Sequence, residues 1–146
     1  MDRVFLDANV LFSAAYRPTS KLRELWRRPD VELLTSAYAV EEALRNLDSG
    51  ERRQGLGKLL ESVTVVGEAP ERALPVELAA KDRPILAAVI EARAPYLLTG
   101  DLRDFGRFLG QSVEGVRIVQ PAGYLRNPGG PATRQRKRRL YMLSGP

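Results

Sequence analysis

The stretch DRPILAAVIEARAPYLLTGDLRDF, residues 82–105, decides the fold. Asp82 and Pro84 are helix-opening residues. Ile85, Leu86, Val89 and Ile90 then recur on one inward face. After that helix, YLLT (96–99) reads as a short apolar strand, and the Gly100-Asp101 turn closes it. A helix feeding directly into an apolar strand is the repeating unit of a parallel sheet.

The same alternation extends upstream. RVFLD (3–7) holds an unbroken apolar run, Val4, Phe5 and Leu6, before its closing acid, as expected of a short buried strand. From Asn9 the pattern turns helical through VLFSAAY, until Arg17-Pro18-Thr19-Ser20 interrupts it. Thr19 or Ser20 can cap a second helix, KLRELWRR. Its apolar face, Leu22, Leu25 and Trp26, belongs either to the core or to an interface. VELLT (31–35) is the second strand. Ser36 caps a helix striped by Val40, Ala43, Leu44 and Leu47, which Asp48-Ser49-Gly50 stops. A helix from Glu51 to Ser62 leads to VTVVG (63–67). Pro70 and Pro75 break residues 68–81, where no element is assigned. Downstream come a helical piece around Phe105–Leu109, the strand VRIV (116–119) and a short turn from Pro121. The expected architecture is α/β, a single three-layer domain with a central, mainly parallel sheet over residues 1–126. A basic tail follows at 127–146.

Charge separates the two parts. Five of the 23 basic residues are Arg134, Arg136, Lys137, Arg138 and Arg139, and no acid lies beyond Glu114. The remaining 18 basic residues balance all 18 acids, so the net charge of +5 belongs to the tail. Such a run reads as an electrostatic arm for RNA, as a docking segment for an acidic partner, or as a solvated terminus. No apolar stretch approaches the roughly 20 residues that span a bilayer. MDRVFLDANV lacks the pattern of a signal peptide. Without Cys there is no disulfide, which fits a reducing cytoplasm.

The chain also has no His, which removes every mechanism built on a histidine base. Carboxylates are its only strong metal ligands, and oxygen-only ligation selects Mg²⁺ or Mn²⁺ over zinc. Five acids stand where strands give way to loops or helices: Asp7, Glu42, Asp82, Asp101 and Asp104. In an open parallel sheet the ligand crevice lies beyond the carboxyl ends of the strands. Carboxylates gathered there can hold one or two cations, and the natural product is a phosphodiester-cleaving site. Taken singly, Asp82 is also a good N-cap, Asp101 a turn residue, Asp104 a cap and Glu42 a solvated charge. Asp7 is the exception, because an acid directly after a buried strand costs desolvation unless something pairs with it.

Three blocks in order, VFLDANVLFSA, TSAYAVEEALRNL and DRPILAAVIEARAPYLLTGDLRDF, make the chain resemble PIN-domain proteins over residues 3–124. The resemblance implies a metal-dependent ribonuclease, VapC-like, the toxin of a type II toxin–antitoxin pair. It implies catalytic roles for Asp7, Glu42, Asp82 and Asp101, with Asp7, Asp82 and Asp101 on Mg²⁺ or Mn²⁺. Asn9, Thr99 and Asp104 would support them. Glu41 competes with Glu42, since both avoid the apolar stripe; family spacing favours Glu42. The implied partners are an RNA substrate, an antitoxin protein and a second copy in a homodimer, with no membrane. Many toxins of this kind lack a basic extension. The alternatives are an RNA-processing nuclease outside toxin–antitoxin systems, and a non-catalytic RNA- or protein-binding module.

Overall fold

A computed structural model of the chain describes residues 1–70, 74 and 76–126. The five basic tail residues between Arg134 and Arg139 therefore lie outside the described residues.

The apolar runs form the centre of one six-stranded sheet. Strands β1 (Asp2–Leu6), β2 (Val31–Ser36), β3 (Val63–Val66), β4 (Tyr96–Leu98), β5 (Ser112–Val113) and β6 (Val116–Val119) lie in the order β3-β2-β1-β4-β6-β5. Every pairing is parallel except β5 with β6. Register sets Val4 between Leu33 and Tyr96, and Phe5 between Leu34 and Leu97. Val4, Phe5, Leu6, Leu34, Leu97, Leu98 and Ile118 have no exposed surface. Full burial of each contributes roughly 1.5–3 kcal/mol, which is why two-sided strands carry no polar alternation.

Among the described residues, five α-helices connect and flank the strands: α1 (Ala8–Tyr16), α2 (Ala37–Asn46), α3 (Gly50–Leu60), α4 (Arg83–Glu91) and α5 (Pro121–Arg126). Serines cap two of them, Ser36 accepting from Ala39 N and Ser49 from Arg52 N. The strand order runs from β1 through β2 to β3 in one direction and then reverses, β4 pairing with the other side of β1. The chain thus winds outward from β1 in both directions. The β1/β4 boundary is the switch point, where such sheets leave a crevice. No helix among the described residues is long and apolar enough to cross a membrane.

Two local expectations change. KLRELWRR is a 3₁₀ helix, Lys21–Arg27, capped by Ser20, because Pro18 and Pro29 leave room for little more than two tight turns. Its apolar face belongs to the core: Leu25 is buried and the Trp26 indole N–H donates to Leu59 O at 2.9 Å. Ser112–Val113, unassigned from sequence, is a two-residue strand that closes one sheet edge antiparallel.

Candidate metal centre

Asp7 leaves β1 and turns the chain into α1. Its Oδ1 accepts the Ala8 N–H at 2.7 Å, so it caps the helix. Its Oδ2 accepts the Thr99 hydroxyl at 2.7 Å and the Asn9 amide at 3.1 Å. Those bonds answer the desolvation cost raised by the sequence, since the residue is 3% exposed. Burial pushes the Asp7 carboxyl above its ordinary range. The Thr99 and Ala8 bonds pull against that, and the charges of Glu42 and Asp101 add to it.

Thr99, wholly buried just past β4, ties the strand ends together. While donating to Asp7, its Oγ1 accepts the Asp101 N–H at 3.0 Å. Asn9 spans the same gap by accepting the Gly100 N–H at 2.8 Å. Gly100 suits that approach, because a Cβ there would lie 3.3 Å from Asn9 Oδ1.

Asp101 Oδ1 accepts the Arg103 and Asp104 N–H groups at 3.1 Å each, which fixes the turn and leaves Oδ2 free of those bonds. Asp82, at the mouth of α4, makes no capping bond to its own helix. It is 5% exposed, yet its Oδ2 is buried without a hydrogen-bond partner. Burial first, then the Asp104 carboxyl, push Asp82 up to about 7; the hydrogen bond with Asp82, helped by the Lys81 charge, holds Asp104 below its usual range. One carboxylate oxygen from each of Asp82, Asp101 and Asp104 lies within 4.8 Å of the others. Lys81 Nζ stands 3.5 Å from Asp104 Oδ2 and 3.8 Å from Asp101 Oδ2.

A cleft of about 540 Å³ joins these groups, lined among others by Asp7, Asn9, Glu42, Lys81, Asp82 and Asp101. Glu42 is half-buried on α2 and faces the cleft. Glu41 is exposed and lines a separate groove with Leu44, Arg45 and Arg53. The acids expected from sequence are thus brought to one place, with Thr99 beneath them and Asp104 at the rim. The three mutually close oxygens belong to Asp82, Asp101 and Asp104, and Asp7 of the expected trio lines the same cleft as Asp82 and Asp101. Lys81 carries no signal in the sequence, where a lone Lys beside an Asp makes no pattern. The donor set suits a hard divalent ion: all oxygen, with one buried oxygen lacking any partner.

The fold has relatives of known structure. A chain in the crystal structure of VapBC2 from Rickettsia felis, bound to a DNA fragment from their promoter, aligns with a TM-score of 0.60 at 13% identity. The alignment covers 81% of this chain and 98% of that one. A chain of VapBC-1 from nontypeable Haemophilus influenzae aligns with a TM-score of 0.54 at 14% identity, covering 82% of this chain and 98% of that one. No curated protein matches the sequence significantly. The sequence profile of the PIN domain matches residues 3–103, well over half of the chain and the whole of the acid cleft. Sheet order, cleft and profile converge: the chain belongs to the PIN-domain family.

Proposed function

We propose that the chain is a cytoplasmic, Mg²⁺- or Mn²⁺-dependent endoribonuclease and the toxin of a type II toxin–antitoxin pair, working as a homodimer. One observation carries the chemistry. Asp82 presents a buried, unpartnered carboxylate oxygen to Asp101 and Asp104, which natural selection of a stable core alone does not favour. Membership in the PIN-domain family supports nuclease activity. Likeness in fold to the two VapBC structures supports a partner protein.

Asp82, Asp101 and Asp104, with Asp7 beside them, would hold the ion. When bound, it supplies neutralisation of the phosphate and activation of water. The chain's own groups do the rest. Thr99 and Asn9 hold Asp7 through Oδ2, so that this carboxylate keeps one orientation. Glu42, which lines the same cleft, would accept a proton from the attacking water. Lys81 and Arg103 offer positive charge to the flanking phosphates of the RNA. Without a cation the gathered carboxylates would repel a polyanion. A module that merely bound RNA would have no use for them.

Purified protein incubated with RNA should cleave it with Mg²⁺ or Mn²⁺ and stop on chelation. Asp101→Asn and Asp7→Asn should each lower the rate by 100-fold or more. Undiminished cleavage by Asp7→Asn, or wild-type cleavage in excess chelator, would end the proposal.

A further inference from the structure

A second pocket, of about 490 Å³, opens beside the acid cleft. Ser36 at the end of β2, Tyr38 on α2, Glu68 after β3, and Arg83, Pro84 and Ala87 on α4 line it. Helix α2 lines both hollows. Tyr38 precedes Glu42 by four residues on α2, so both stand on one helix face. Asp82 of the cleft is followed directly by Arg83 of the pocket. The Tyr38 hydroxyl feels both acids: burial first, then the charges of Glu42 and Asp82, hold it above the ordinary phenol range. The mechanism above uses none of the pocket residues.

Building on the ribonuclease reading, we infer that this pocket receives one unpaired RNA base, stacked on Tyr38, from a nucleotide flanking the phosphate in the acid cleft. A base has apolar faces and an edge of mixed donors and acceptors. Tyr38, Pro84 and Ala87 offer the apolar surfaces. Arg83 supplies donors to base carbonyls, and Glu68 accepts from an exocyclic amino group. The volume falls within the range of small-ligand pockets. The nearness of Tyr38 and Arg83 to Glu42 and Asp82 of the cleft favours RNA over an apolar side chain of a protein partner, which would make no use of either charge.

The experiment is a coupling cycle on the full chain carrying Asp101→Asn, so that RNA is retained rather than cut. Fluorescence anisotropy in Mg²⁺ measures affinity for a short single-stranded RNA and for versions with one abasic nucleotide moved along it. Stacking of one base on an aromatic ring corresponds to roughly 5- to 150-fold in affinity. One abasic position should weaken binding by such a factor. Tyr38→Ala should lose a similar factor and become indifferent to that position, while Tyr38→Phe should behave as the parent. Penalties that simply multiply at every position overturn the inference, as does a Phe variant as weak as the Ala variant. Loss of a co-purified protein from Tyr38→Ala with RNA coupling absent also overturns it, in favour of protein docking. Wild-type cleavage with Mg²⁺ or Mn²⁺ but no coupling removes the pocket's role alone. Wild-type protein that neither binds nor cuts RNA removes the ribonuclease reading with it.

Discussion

Thr99→Val keeps the shape of a buried side chain and deletes its hydroxyl. That hydroxyl donates to Asp7 Oδ2 at 2.7 Å and accepts the Asp101 N–H at 3.0 Å. A bond to a carboxylate is worth roughly 1.5–3 kcal/mol, and an amide left unpaired in the interior costs about 1–3 kcal/mol. Asn9 still reaches Asp7 at 3.1 Å and recovers part of the first loss. The expected destabilisation is therefore roughly 2–5 kcal/mol, or about 5–15 °C in melting temperature. Thr99→Ser keeps both bonds and should cost about 1 kcal/mol, for the missing methyl. Urea unfolding in chelator, followed by circular dichroism, separates this effect from any ion. Mn²⁺ titration of the same variants should show Thr99→Val weakened about 10- to 100-fold, as expected when a group orienting a ligand is lost. A Val variant within 0.5 kcal/mol of wild type, or a Ser variant as damaged as Val, would refute the proposed linkage of the two strand ends.

Three further outcomes test other parts of the site. Asp82→Asn should raise the melting temperature of metal-free protein at pH 8 but not at pH 4. Folding lifts the Asp82 carboxyl from 3.8 to about 7, so its contribution is complete below pH 4 and lost as pH rises through about 7. Equal pH profiles for the two proteins in a thermal-shift assay would contradict this. Glu42→Gln should slow RNA cleavage tenfold or more, whereas Glu41→Gln stays within twofold of wild type. Similar losses for both would return the choice between them to open. Gly100→Ala should push Asn9 off the Gly100 N–H and weaken Mn²⁺ binding measured by calorimetry, with under about 1 kcal/mol of lost stability. Unchanged affinity would show that Asn9 does not steady the site.

The fold was legible wherever burial on both sides of the sheet left an uninterrupted apolar run. Val4–Leu6 and Tyr96–Leu98 are such runs, and the helix between Arg83 and Glu91 follows from its own periodicity. That acids at the ends of β1 and β4 meet follows from parallel pairing alone, because it sets all strand ends at one edge. Ser112–Val113 could not be read, since two residues cannot show a period. Glu41 and Glu42 could not be separated on the helix wheel, as both avoid the apolar stripe. Only the packing of α2 beside α1 and α4 turns one of them toward the cleft. The idle carboxylate oxygen of Asp82 was equally hidden, for its sequence neighbours fit an ordinary helix cap.

Lys81 gives the molecule a tethered counter-ion. Its ammonium sits between two acids that would otherwise push each other apart and strain the turn at residues 101–104. Zinc fingers collapse when stripped of metal because nothing else holds their ligands together. Here a covalently attached positive charge already takes up part of that task. The charge that Lys81 brings to these acids is therefore part of the chain itself rather than something drawn from solution.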